Sequence, residues 1–274
     1  MRYILILILL VVCMYATTTN HVHFIQTDEV VDSGFHVFDA FNESEINYIL
    51  GLVDSKKYIE AKKFIHDHPV VVKKLQTILG EDYVFTDYIF SIEKSSVSTC
   101  HRDENGSVLN PKMKHPSYTI IFFLEEMKSC LDVIPKSHKE RNKIYITKSI
   151  KSVGCEPGQA VLFDANLIHS GAINAKNDNK RIQMKVTHRD DLENIGEFDK
   201  QYYRVGDASK DTSDKNTLFY RRMSCFLPGI SDVTANGNNM PEFMKKLYKK
   251  LVYGGVNKYE LKVVEPEKQF SKVL

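Results

Sequence analysis

The sequence predicts a mainly β protein, a sandwich or jelly roll with flanking helices, and three observations carry that reading. Short runs rich in β-branched and aromatic residues recur between turn signals, at residues 83–93, 97–103, 118–124, 131–134, 160–163 and 182–187. Two helical patterns with their own start and stop signals precede this series, which suits helices that buttress a sheet. The 274 residues are 43% hydrophobic, enough for one large core, and a β sandwich or barrel of this size is commonly a single domain.

Taken in order, the chain opens on a segment of a different kind. After Arg2, residues 3–16 (YILILILLVVCMYA) carry no charge. That length suits the apolar region of a signal peptide better than a full membrane span of about 20 residues. Residues 1–19 are therefore expected to act as a signal peptide or signal anchor. This would place the protein in the secretory pathway or hold it at a membrane. Residues 20–33 are polar without a clear period and read as a linker. The folded domain is expected over residues 34–274, with a C-terminal extension from about residue 190.

Asn42 is placed to cap a helix whose third residue is Glu45, with Ile46, Ile49, Leu50 and Val53 as its apolar stripe. Pro69 opens and Gly80 closes a second helix, while His66 and His68 beside it read as surface residues. Beyond residue 190 the chain is polar and irregular, with an aromatic and basic island at Phe219-Tyr220-Arg221-Arg222. Pro241 then opens an amphipathic helix over residues 242–253, whose lysines read as a solvated face.

With 37 basic and 35 acidic side chains the net charge is +2, so no overall field argues for a nucleic-acid partner. Cys13 lies in the apolar leader. Cys100, Cys130, Cys155 and Cys225 are an even number that can pair in an oxidising compartment, and there is no Cys-x-x-Cys.

The chemistry concentrates in four residues. In a strand, positions i and i+2 share a face, so His101 and Asp103 present an imidazole nitrogen and a carboxylate oxygen side by side. His169, after the turn of FDANLIHSG, is the third candidate ligand. Two imidazoles and one carboxylate on one face of an octahedral metal leave the opposite positions open, the arrangement of non-heme Fe(II) oxygenases. Arg181, on the apolar run after the turn at residues 174–180, is suited to clamp a carboxylate with two parallel hydrogen bonds. A dicarboxylate keto acid meets that demand. His101-Arg102-Asp103 also spells a kinase catalytic-loop string, but Val108 stands where a kinase needs Asn, and no glycine-rich loop is present.

Three stretches resemble the phytanoyl-CoA dioxygenase family of Fe(II)/2-oxoglutarate oxygenases. GFHVFDAFNESEINYI (residues 34–49) looks like the family's opening strand and first helix. LDVIPKSHK (131–139) is similar to its Pro-Gly-Ser-His segment, with Lys136 where Gly is usual. PGQAVLFDANLIHSGAIN (157–174), followed by Arg181, is the most specific. The resemblance covers roughly residues 34–190 and implies a double-stranded β-helix of cupin-like form. It further implies Fe(II) held by His101, Asp103 and His169, with 2-oxoglutarate and dioxygen as cosubstrates and Arg181 as keto-acid anchor. Gln183 departs from the small hydroxyl residue common two positions after the family's Arg. Gln183, Tyr118 and Thr119 are the candidates to complete the keto-acid site. The expected activity is hydroxylation of a small-molecule, lipid or protein substrate. A catalytically silent β-helix binding module, or a zinc hydrolase on the same ligands, is the alternative.

Overall fold

The computed structural model describes residues 24–25, 30–92, 100–103, 113–139, 150–171, 179–194, 204–207 and 260–262. The leader, residues 104–112, the Phe219 to Arg222 island and the helix expected at 242–253 lie outside the described residues. Among those described, strands form two sheets facing each other as a double-stranded β-helix. The smaller has the order β1 (Phe24–Ile25), β6 (Lys151–Cys155), β5 (Met127–Val133), β8 (His169–Gly171). The larger runs β11 (Glu260–Lys262), β10 (Arg204–Asp207), β3 (Tyr83–Ile92), β9 (Arg181–His188), β4 (Tyr118–Phe123), β7 (Gln159–Asp164), β2 (Phe35–Asp39).

The alternation of side chains along the larger sheet separates two cores. Phe35, Val37, Ile121, Phe123, Val161 and Phe163 point inward and meet Leu131, Val133 and Val153 of the smaller sheet. Their neighbours in sequence Ile120, Phe122 and Leu162 point outward, as do Ile182, Met184 and Val186 of β9, and all six are covered by helices. Those helices are α2 (Glu43–Asp54), α3 (Tyr58–His66) and α4 (Pro69–Leu79). Strands β4 and β7 are therefore largely apolar on both faces and read as near-continuous hydrophobic runs. A disulfide joins Cys130 and Cys155, across the β5–β6 pair.

Helix α2 begins as its sequence predicts. The Asn42 side chain accepts from the Glu45 backbone at 3.0 Å, and Glu45 accepts from the Asn42 backbone at 2.8 Å. The other Glu45 oxygen lies 3.0 Å from His68 Nε2. His68 is thus not the surface residue expected: it is 6% exposed and packs edge-on to Phe41. The stretch expected as a linker also carries structure. Phe24–Ile25 pairs in parallel with β6, and a short helix α1 (Val30–Ser33) buries Val30.

Lys136 explains a departure in the Pro-Lys-Ser-His segment. Its φ is +69°, in the left-handed region where glycine is at ease and a Cβ is not, and its N–H is committed to Ser33 O at 2.9 Å. Its ammonium meets Asp32 at 3.2 Å, but both side chains are exposed, so that pair adds little. Lys136→Gly is expected to raise stability by about 0.5–1 kcal/mol, through relief of that backbone strain. Chemical denaturation of the two proteins measures it.

Candidate metal centre

His101 and His169 face each other across an antiparallel bridge, each N–H donating to the other's carbonyl at 2.9 Å. Directly paired residues project to the same side, which puts both imidazoles together with ring centroids 4.5 Å apart. Two residues on, the Asp103 N–H donates to Ala165 O at 2.9 Å and returns the carboxylate to that side. Asp103 Oδ1 lies 3.6 Å from Nε2 of His101 and 3.6 Å from Nε2 of His169. His169 Nδ1 is 2.9 Å from Leu167 O, so it carries the ring proton and leaves the Nε2 lone pair for a metal. The three donor atoms lie within 4.8 Å of one another, close enough to share one metal ion, and two imidazoles with one carboxylate are a donor set suited to an octahedral dication.

The loop that delivers His169 is tied from several sides. The Asp164 side chain accepts from Asn166 N at 2.7 Å, and Ser137 Oγ accepts from Ile168 N at 2.8 Å. Arg102, between His101 and Asp103 in sequence, points the other way. Its Nε donates to Asn166 O at 2.6 Å and its Nη2 to Ser137 O at 3.3 Å, so it fastens the His-x-Asp segment to the His169 loop. His138 turns to α1 rather than to the centre, its Nε2 3.3 Å from Val31 O.

Electrostatics suit a ligand set. Burial alone would raise the Asp103 carboxyl, but the Lys185 ammonium and both imidazoles hold it well below the usual carboxylate range. Burial pushes His169 down to about 4 against an ordinary 6.5, with His101 acting in the same direction and Asp103 opposing. His169 is thus neutral at pH 7. Since the unfolded chain takes up that proton near pH 6.5 and the folded chain does not until about 4, stability is intact above pH 6.5 and falls as pH drops toward 4. Metal-free protein is expected to lose on the order of 3 kcal/mol over that window from this group. Thermal melts of wild type and His169→Ala as a function of pH check it, the variant showing the shallower loss.

The remaining expected residues divide by strand face. Opposite residues in a ladder share a side, so Arg181 lies with Ile92 and Phe123, Gln183 with Phe90 and Ile121, and Thr119 with Lys185, all inward. Arg181 is 5% exposed and its Nη1 donates to Asn179 O at 3.0 Å. The Thr119 hydroxyl donates to Asp103 Oδ2. Tyr118 is not in the site: one residue from Thr119, it points to the helix-covered core, with its ring 5.4 Å from that of Tyr83. Lys185, which the sequence reading passed over, reaches Asp103 Oδ2 at 2.5 Å. The signal was present, because Arg181, Gln183, Lys185 and Thr187 alternate with Ile182, Met184 and Val186 at a strict period of two.

A second group, His115, His188 and Asp190, has its nitrogens 3.7 and 3.9 Å from Asp190 Oδ2. Its imidazoles are stacked, 3.6 Å apart and 18° from parallel. Lone pairs lie in the ring planes, so these rings do not aim at one ion as His101 and His169 do.

Residues 26–182, more than half of the chain, match the family described as "Phytanoyl-CoA dioxygenase (PhyH)". The chain belongs to the phytanoyl-CoA dioxygenase family. It is an enzyme of that family's kind, a non-heme oxygenase dependent on Fe(II) and 2-oxoglutarate. No curated protein matches this dioxygenase at the sequence level. Among solved structures it is similar to EvdO2 from Micromonospora carbonacea var. aurantiaca complexed with 2-oxoglutarate, at 15% identity and TM-score 0.45, over 61% of this chain and 92% of that one. It is also similar to the non-heme monooxygenase ThoJ in its apo form, at 14% identity and TM-score 0.46, over 74% and 98%.

Proposed function

We propose that this dioxygenase hydroxylates a small-molecule, lipid or protein substrate, with His101, Asp103 and His169 as its metal ligands. The observation that carries the reading is the grouping of both Nε2 atoms around Asp103 Oδ1, each 3.6 Å from it. A carboxylate in the third position leaves no protein-side vacancy for a halide, which favours hydroxylation over halogenation. When bound, iron and the keto acid together supply the oxidising chemistry, with loss of carbon dioxide and formation of succinate.

The chain's own contribution is ligation and orientation. His169 stays neutral and aims Nε2, Arg102 holds the ligand segment against the His169 loop, and Arg181 with Gln183 anchors the distal carboxylate of the keto acid. Thr119 acts on Asp103 instead of on the keto acid. The Phe163 ring packs against His169 at 4.4 Å between centroids and covers that side of the centre. A mass-spectrometric screen for compounds that stimulate succinate release tests the activity: substrate-dependent release with one oxygen atom added to the substrate is expected. Release coupled to halide incorporation, or no release with any class, would overturn the hydroxylase reading.

Membrane or secretory targeting by residues 1–19 belongs to the same proposal and rests on the uncharged run at 3–16. Among the described residues, no helix is long and apolar enough to cross a membrane. Fractionation of cells expressing the chain with a C-terminal tag is expected to place it in membranes or the medium, and to place a chain lacking residues 1–19 in the cytosol. Full-length chain in the cytosol with its leader intact would refute the targeting.

A further inference from the structure

We propose that Lys185 is a positioning residue that fixes Asp103 as a one-oxygen ligand, and so preserves the coordination positions that the keto acid and dioxygen need. The inference rests on the ligand assignment above. An octahedral ion has six positions: three go to protein, two to a chelating keto acid and one to dioxygen. A carboxylate that bound through both oxygens would take a fourth.

The structure sets the two oxygens of Asp103 apart. Oδ1 is equidistant, at 3.6 Å, from the two ligand nitrogens. Oδ2 is turned to the sheet, where it accepts from Lys185 Nζ at 2.5 Å and from the Thr119 hydroxyl. Lys185 also donates to Thr119 Oγ1 at 2.9 Å, which frees the threonine's own proton for Asp103 and closes a ring of three hydrogen bonds. Lys185 is 2% exposed, and the Tyr88 ring lies 5.7 Å from its Nζ. Its charge-assisted bond is therefore shielded from competing water, and leaving Oδ2 to bind a cation means giving up both donors.

Charge adds to the same effect. Two neutral imidazoles and a carboxylate would reduce a dication to a net +1, and the adjacent ammonium restores it to +2, so the centre is completed best by an anionic chelator. A keto acid binding through its carboxylate meets that need. Merely structural support would change stability alone, whereas this role changes how Asp103 meets the metal and how tightly the keto acid binds.

The test uses Mn(II), which binds such sites without turnover, in wild type, Lys185→Met and Lys185→Arg. In Lys185→Met, calorimetric titration of 2-oxoglutarate into the Mn(II)-loaded protein is expected to show affinity at least tenfold weaker. A crystal structure of that protein is expected to show both Asp103 oxygens on the metal. Lys185→Arg, which keeps a charged donor, is expected to recover part of the affinity. Either an unchanged affinity in Lys185→Met or an Asp103 still bound through one oxygen overturns the inference. Should Lys185→Met not fold, Lys185→Leu, which likewise removes the charged donor, carries the same comparison with the same two outcomes. Wild type that binds Mn(II) and 2-oxoglutarate normally keeps the ligand assignment intact if Lys185 fails, whereas wild type that binds neither brings down the assignment and this inference with it.

Discussion

Replacing His101, Asp103 or His169 with Ala is expected to abolish substrate-dependent succinate release and to weaken Fe(II) binding by on the order of a hundredfold or more, since even partners of metal ligands contribute tenfold to a hundredfold. Each substitution removes one of three protein donors that lie within 4.8 Å of one another. The fold should survive, because the segments carrying the ligands are held independently of the metal. The His101–His169 backbone bridge, the Asp103 bond to Ala165 and the Arg102 bonds to Asn166 and Ser137 all remain. The three variants should differ in one respect. Asp103→Ala leaves the Lys185 ammonium facing the centre without its carboxylate, so it should bind a dication worst of the three. Circular dichroism and metal titration separate loss of ligand from loss of fold, and iron-dependent turnover at the normal rate in His169→Ala would be incompatible with the assignment.

The second large effect concerns the keto acid. Arg181→Ala is expected to weaken 2-oxoglutarate binding by about 2–5 kcal/mol, the cost of deleting one partner of a desolvated charge pair. That is a loss of roughly thirtyfold to several thousandfold in affinity. Arg181 is nearly enclosed, and Nη1 is already oriented by the Asn179 carbonyl, so its guanidinium is held ready before a carboxylate arrives. It begins the inward row of β9 in which Lys185, about 13 Å along the strand, lies beside Asp103. Arg181→Lys should recover only part of the loss, because an ammonium cannot pair with both carboxylate oxygens in plane. Calorimetry on Mn(II)-loaded protein measures both variants, and an affinity unchanged in Arg181→Ala would move the anchor to another residue.

Much of the fold was legible because its strands are strongly patterned. The runs at β3, β4, β7 and β9 are long and apolar or alternate cleanly, and each lies within a residue or two of where its pattern begins and ends. What escaped notice lacks such signals. Strand β6 is Lys-Ser-Val-Gly-Cys, and β8 is three residues long, so neither shows a period. Helix α3 has Lys57 at its cap with no side-chain bond, and so no start signal. Strands β10 and β11 lie in polar sequence at the sheet edge, where tertiary pairing alone selects them.

At the site, residue type and spacing pick out His101, Asp103 and His169, which the fold brings together, and Arg181, which it places on β9. Tyr118 and Thr119 illustrate the limit. Adjacent strand residues point to opposite faces, so no more than one of the two was able to face inward, and only the ladder register shows that it is Thr119, which reaches Asp103. Lys185 was within reach of the same parity argument that joined Arg181 to Gln183, carried two residues further. Arg102 was not, since its partners Asn166 and Ser137 are brought to it by the fold alone.

The most direct test of the central claim is the visible absorption spectrum of the protein mixed with Fe(II) and 2-oxoglutarate under anaerobic conditions. A weak charge-transfer band is expected in wild type, absent when Zn(II) replaces Fe(II) and absent in His169→Ala. No band in wild type, or a band of equal strength in His169→Ala, would contradict the assignment of iron and keto acid to this site.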